Sequence, residues 1–124
     1  MASLPTALIF DVDGTLAETE RDGHRVAFNQ AFVDFNLPWQ WPVALYGELL
    51  KVAGGKERIA HYIESYQSHC PLPLPLEDLT KALHQTKTRY FETLVKGGSI
   101  LLRPGVKRLL QEARDQQVRL AIAT

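Results

Sequence analysis

The 124-residue chain has a single cysteine, Cys70, so it cannot close an internal disulfide, and this usage suits a reducing compartment. It has no surplus of either charge. Fourteen Lys and Arg balance fourteen Asp and Glu, so no overall field draws the chain to nucleic acid or to an anionic membrane, and any phosphate must be held by a local site. No apolar run approaches the ~20 residues of a membrane span, and no charged segment precedes a leader-like core. The expected setting is therefore the cytoplasm, with the plastid stroma after removal of a transit peptide as the alternative. Internal repeats are absent as well. What is present is ordinary globular material, 45% hydrophobic and 23% charged, long enough for one modest core.

Its most distinctive stretch is Phe10-Asp11-Val12-Asp13-Gly14-Thr15-Leu16, where an apolar run from Ala7 gives way to two acids and a glycine. The pattern predicts a strand that ends in a pair of carboxylates. Side chains alternate along a strand, so Asp11 and Asp13 leave on one side while Val12 turns toward a core. Carboxylates held this close need a cation between them, or one must keep a proton. The first case gives a hard-metal site and the second an acid/base pair. Gly14 permits a sharp turn beside an incoming anion, and Thr15 adds a hydroxyl and an N–H. An Asx-type turn after a strand is the purely structural alternative.

Helical spacing follows. Phe28, Ala31, Phe32 and Phe35 predict a helix from about Thr19 to Asn36, with Thr19 as its N-cap, and the prolines of the 37–42 segment close it off. A short helix is expected over Val43–Leu50. A third carries Ile59, Tyr62, Ile63 and Tyr66 on one face, and a long fourth runs from Leu76 to Lys96 after an extended Pro-Leu connector. Gly97-Gly98 ends this region. Pro104-Gly105 then opens a helix with Val106, Leu109, Leu110 and Ala113 on one face, and Val118–Ala123 has the length and composition of a strand. Two strands joined by a helical crossover are expected to be parallel, and parallel sheets are normally buried on both faces. Two strands cannot make that layer alone. The chain thus reads as the first part of a larger α/β domain carrying a helical insert of roughly 80 residues, the size of a small module.

Three polar clusters lie in or beside the insert. Glu18 and His24 stand at its start, so near the acids that the first helical turn must point into the same pocket. Early acids also favour the helix dipole, which is the structural reading of the same residues. In Gly54-Gly55-Lys56-Glu57-Arg58, two glycines free backbone N–H groups at a helix start beside two cations, a combination suited to an anion. Solvated surface charges are the alternative. Arg103 lies where the insert returns to the core, as a bidentate phosphate grip or as an ordinary boundary arginine. Trp39 and Trp41 read as a packing cluster because no basic stripe accompanies them. His61, His69 and His84 make no metal spacing with Cys70.

Asp11-Val12-Asp13-Gly14-Thr15, placed at the end of a first strand, resembles the first signature of the haloacid-dehalogenase-like (HAD) phosphatases. Further fragments resemble the CbbY subgroup of that family: Ala17-Glu18-Thr19-Glu20, Asp22-Gly23-His24-Arg25, Leu45-Tyr46-Gly47-Glu48-Leu49-Leu50-Lys51, Gly54-Gly55-Lys56-Glu57-Arg58-Ile59 and Leu102-Arg103-Pro104-Gly105. The Asp-Gly-His form looks closest to plant and cyanobacterial members. The resemblance implies an α/β fold, a Rossmann-like HAD core of which only the first strands are present, with an inserted α-helical cap domain. Residues 1–17 and 102–124 would form the partial core domain and 18–101 the cap domain. Leu120-Ala121-Ile122-Ala123-Thr124 matches the second signature on its last residue. The third, a Lys, and the fourth, an acidic pair, would lie further on.

The implied activity is Mg²⁺-dependent phosphatase chemistry on a sugar phosphate or bisphosphate, with xylulose 1,5-bisphosphate as the substrate of the plant type. A carboxylate attacking phosphorus splits one difficult step into two easier ones. Asp11 would be the nucleophile and a metal ligand. Asp13 would protonate the leaving oxygen, then take a proton from water, and would offer its backbone carbonyl to the metal. Thr15, Glu18, His24, Gly55, Lys56, Arg58, Arg103 and Thr124 are the expected substrate contacts, Thr124 as a hydroxyl donor to the phosphoryl group. The expected partner is a small sugar phosphate, with neither nucleic acid nor membrane, for a protein monomeric at full length. A β-phosphoglucomutase-like sugar-phosphate mutase, a phosphoglycolate phosphatase-like enzyme and a truncated phosphosugar-binding module are the alternatives. A dehalogenase fits less well, because carbon–halogen displacement needs neither the Asp13 acid nor a metal.

Overall fold

A computed structural model describes residues 3–123, so Thr124 lies outside the described residues. Strand β1 (Ala7–Phe10) is followed by a π-helical turn (Glu20–His24), helices α1 (Arg25–Asp34), α2 (Val43–Leu49), α3 (Gly55–Tyr66), α4 (Leu76–Lys96) and α5 (Val106–Asp115), and strand β2 (Arg119–Ile122). The strands pair in parallel, as expected, with Ala7 opposite Arg119 and Phe10 opposite Ile122. The Ala123 N–H extends the ladder by donating to the Phe10 carbonyl at 2.8 Å.

The core of the helical region is aromatic. Phe28 and Phe32 from α1 meet Trp41, Tyr46, Ile59, Leu79 and Leu83 in one cluster in which each side chain is almost fully buried. Phe32 meets the rings of Trp39 and Trp41 edge-on at 5.6 and 4.9 Å, the arrangement that aromatic quadrupoles favour. Burying such side chains contributes on the order of 1.5–3 kcal/mol each. The proline-bracketed segment before α2 can enter this core because Asn29 satisfies its backbone. The Trp41 N–H donates to Asn29 Oδ1 at 2.8 Å, and Asn29 Nδ2 donates to the Trp41 carbonyl at 3.1 Å. Trp39 and Trp41 are therefore packing residues, as the sequence suggested.

Helix α4 has the bounds that its apolar spacing predicted. Pro75 precedes it, and Glu77 and Asp78 in its first turn complement the dipole. The first helix differs from expectation. It opens as a π turn in which the Arg25 N–H reaches back to the Glu20 carbonyl, and Thr19 makes no capping bond. Close packing accompanies that widened turn: a Cβ on Gly23 would stand 2.7 Å from Ile100 and 2.9 Å from Phe91. The sheet also departs from the buried parallel pattern. Every residue of β2 is exposed, and of the α5 face only Ala113 is buried. Two strands and one helix supply too little surface to cover each other.

Candidate active site

At the tip of β1 the chain folds into a compact loop. The Val12 carbonyl accepts N–H groups from Thr15, Leu16 and Ala17 at 3.1, 3.0 and 3.3 Å, and the Gly14 N–H donates to the Ala17 carbonyl at 2.9 Å. Gly14 has φ +72°, a conformation that L side chains seldom adopt. The two acids stand on this loop with exposed side chains, and Thr15 is exposed beside them. Among the described residues Asp11 has no hydrogen bond or ion pair, and no N–H donates to the Asp13 carbonyl. Those are two hard oxygen donors without protein partners, the donor chemistry a Mg²⁺ ion takes.

Asp13 is oriented by the helical region. The Thr19 hydroxyl donates to its Oδ1, which is why Thr19 does not cap the helix. His24 Nε2 lies 3.6 Å from the same oxygen and 3.7 Å from Glu20 Oε1. On its other side, Lys87 Nζ is 2.9 Å from His24 Nδ1. An ammonium has no acceptor, so Nδ1 accepts and the ring proton sits on Nε2, directed at the two carboxylates. The imidazole is stacked on Phe91 at 4.0 Å. Burial, and then the Lys87 charge, push its pKa down from 6.5 to about 4, so at neutral pH it is an uncharged N–H donor and not the cation of an ion pair. Asp13, Glu20 and His24 bring their ligand atoms within 4.8 Å of one another. A metal there would have to displace the Nε2 proton that Lys87 enforces. The arrangement instead places one polarised N–H between two acids.

Lys87 is the residue that sequence reasoning missed. It is buried on α4, with Nζ 4.8 Å from the Phe28 ring centroid and 5.3 Å from that of Phe91. Burial and the neighbouring Arg58 charge lower its pKa. The available signal was its spacing: Lys87 lies four residues after Leu83, inside the apolar stripe of a helix. The pKa of Glu20 is raised chiefly by burial, against the opposing pull of the Arg58 and Lys87 charges. Tyr46 shares this region. Its hydroxyl is buried without a partner, and burial raises its pKa.

The structure does not join all the expected contacts. His24 stands with Asp13. Glu18 is instead paired with Arg103, Oε1 to Nε at 2.9 Å, and Arg103 Nη1 donates to the Gly14 carbonyl at 2.7 Å. Arg58 donates to the carbonyls of Leu49 and Val52 at 3.2 and 3.0 Å and lies over the Tyr46 ring, pinning the loop before α3. At the α3 N-terminus the Glu57 carboxylate lies so close to Gly54 that a Cβ there would collide with its Oε2, and among the described residues no side chain caps the helix. Gly55 is needed for close packing, since its Cβ would meet the His84 ring at 2.6 Å. Lys56 is exposed on a separate groove with Glu57, Glu77 and Lys81.

A helical insertion behind a strand tip bearing two acids, closed by a parallel second strand, defines a haloacid dehalogenase-like hydrolase. The sequence profile of that family, described as haloacid dehalogenase-like hydrolase, matches residues 5–124, and the chain belongs to the family. Within it the chain is similar to CbbY proteins. It is 48% identical over 118 residues to the plasmid protein CbbY of Cupriavidus necator, covering 95% of this chain and 46% of that one. It is 40% identical over 129 residues to a CBBY-like protein of Arabidopsis thaliana, covering 100% of this chain and 40% of the plant protein. A crystal structure of a CbbY mutant from Rhodobacter sphaeroides in complex with xylulose-(1,5)bisphosphate superposes with a TM-score of 0.75 at 45% identity, over 98% of this chain and 51% of that chain. The chain thus spans a little under half the length of the curated CbbY relatives it matches. Among the described residues no helix is long and apolar enough to cross a membrane.

Proposed function

We propose that the chain supplies the nucleophile and the helical cap of a Mg²⁺-dependent sugar-bisphosphate phosphatase whose remaining residues follow Thr124. Residues 1–17 and 102–124 belong to its core domain and 18–101 to its cap domain. One observation carries the reading: among the described residues Asp11 has no partner at the strand tip, while Thr19 and the neutral His24 gather around Asp13. A nucleophile has to be unencumbered, and a general acid has to be held in place.

Asp11 attacks the phosphorus, forming the new O–P bond as the bond to the sugar oxygen breaks. Asp13 gives its proton to that leaving oxygen. The aspartyl phosphate is then hydrolysed by a water whose proton Asp13 takes back, which returns both carboxyls to their starting states. The His24 N–H and the Thr19 hydroxyl orient Asp13 through this cycle. The Asp11 carboxylate and the Asp13 carbonyl, together with groups beyond this chain, would hold a Mg²⁺ ion, which when bound would supply positive charge to neutralise the phosphate. Thr15 and Thr124 donate to the transferring phosphoryl group. Glu18 faces the sugar, and Arg58 and Lys87 supply positive charge for a second anionic group, with Gly55 and Lys56 on the far side of α3.

Xylulose 1,5-bisphosphate is the substrate we propose, from the similarity to CbbY, in a cytoplasmic or stromal protein. The test is incubation of the complete protein with this bisphosphate and Mg²⁺. Release of inorganic phosphate and a monophosphate is expected. An isomeric bisphosphate, or no turnover, would refute the proposal.

A further inference from the structure

Two segments connect the helical region to the sheet, residues 16–19 outward and 99–103 in return, and Arg103 ties them to each other and to the acid loop. Its backbone N–H donates to the Leu16 carbonyl at 2.9 Å, beside the antiparallel bridge of Ala17 with Leu102. Its guanidinium divides between the two regions: Nη1 holds the Gly14 carbonyl at 2.7 Å, and Nε holds Glu18 at 2.9 Å. An arginine that grips a substrate phosphate presents its fork to the ligand. Here two of the donors are already committed to the chain itself.

We propose that Arg103 is a positioning residue, resting on the phosphatase reading above: it fixes the Asp13 general acid from the backbone side and couples it, through Glu18, to the start of the helical insertion. Gly14 follows Asp13 directly and has no side chain to fix its own dihedrals, so the peptide after it is placed by its hydrogen bonds, the Thr15 N–H to the Val12 carbonyl on one side and Arg103 to the Gly14 carbonyl on the other. Arg103 immobilises the carbonyl of that peptide. Asp13 is then set from two directions, its carboxylate by the Thr19 hydroxyl and its backbone by Arg103. Both restraints come from the segments that join the helices to the sheet, so a change in the angle of the helical region reaches the acid through them.

A displaced general acid has a kinetic signature that an anion grip lacks. A sugar oxygen must receive a proton as it leaves, whereas p-nitrophenolate leaves without one. Because Asp13 serves both esters alike when the aspartyl phosphate is hydrolysed, the contrast is read on the first step, from the pre-steady-state burst of leaving-group release. In the complete protein, Arg103→Gln is expected to lower that first-step rate on xylulose 1,5-bisphosphate by about tenfold or more and on p-nitrophenyl phosphate by less than about twofold. KM for the bisphosphate and the melting temperature should stay near their original values. Arg103→Lys, which keeps the charge but can reach only one of the two acceptors, should recover part of the lost first-step rate. A raised KM with the first step intact would make Arg103 a phosphate ligand and overturn the inference. An equal fall of the first-step rate on both esters, or no recovery with lysine, would overturn it too. Absence of turnover in the unsubstituted protein would instead refute the phosphatase reading itself.

Discussion

Phe28, Phe32, Trp41, Ile59, Leu79 and Leu83 in the helical region are 0% exposed, whereas Ile9 and Ile122 on the paired strands remain 70% and 62% exposed. The helices enclose one another around an aromatic centre, and among the described residues α5 is the helix that packs chiefly against the two strands. The contrast separates two tasks. Asp11, the proposed nucleophile, belongs to the sparsely packed sheet region, while His24, which stands beside Asp13, and Lys87 behind it come from the dense one. Groups that hold another residue in place need their own positions fixed by packing. A reacting carboxylate needs open space in front of it.

Substitutions can break this division or sharpen it. The largest effect is expected of Asp11→Asn in the complete protein, with turnover falling at least about a thousandfold, because an amide is too weak a nucleophile. The circular-dichroism melting curve should not move, since the side chain is exposed and has no partner among the described residues. A variant that kept most of its activity would remove Asp11 from the chemistry. Trp41→Ala comes next, with a loss of about 3–5 kcal/mol in urea unfolding, because the vacated core cannot close around the gap. A cost near zero would mean that the aromatic cluster does not set the stability of the helices.

A smaller and pH-dependent effect belongs to His24. Its pKa in the folded protein is depressed to about 4 from 6.5, so the unfolded chain takes up a proton that the folded chain refuses. The stability held by the neutral imidazole is fully present above pH 6.5 and is lost as the pH falls toward 4, by an amount on the order of 2–3 kcal/mol. Chemical denaturation of the unsubstituted protein and of His24→Gln across that range should show the slope in the first and not in the second. Equal slopes would contradict the burial of the ring. Ile122→Ala in the 124-residue chain should cost least, less than about 0.5 kcal/mol, because the residue already faces solvent. A loss like that of Trp41→Ala would erase the distinction between the two regions.

Much of this was legible in the residues. Leu79 and Leu83 fixed the buried face of α4, the prolines marked the starts of α2 and α4, and the runs over Ala7–Phe10 and Val118–Ala123 predicted the two parallel strands, the second of which spans Arg119–Ile122. Asp11 and Asp13 were legible because two acids after an apolar strand have few structural reasons to be there. Composition did not report at Gly54-Gly55 that the Glu57 carboxylate would lie beside the glycines, because an acid in a first helical turn is as common without that approach. Lys87 was hidden for a related reason. Periodicity reads a lysine in an apolar stripe as a break, whereas two aromatic faces and an imidazole make the buried ammonium tolerable. The π turn depended on Phe91 and Ile100, which are far away in sequence, and local spacing does not report such contacts. The bond from Thr19 to Asp13 and the two that Arg103 makes to Gly14 and Glu18 are likewise properties of the folded loop.

In the proposed mechanism phosphorus passes through a covalent bond to Asp11. The most direct test is rapid-quench mass spectrometry of the complete protein turning over xylulose 1,5-bisphosphate with Mg²⁺, with the modified peptide sequenced. A phosphoryl group on Asp11 that forms and decays at the rate of turnover is the expected result. Steady turnover with unmodified Asp11, or with phosphate carried on a different side chain, would contradict it.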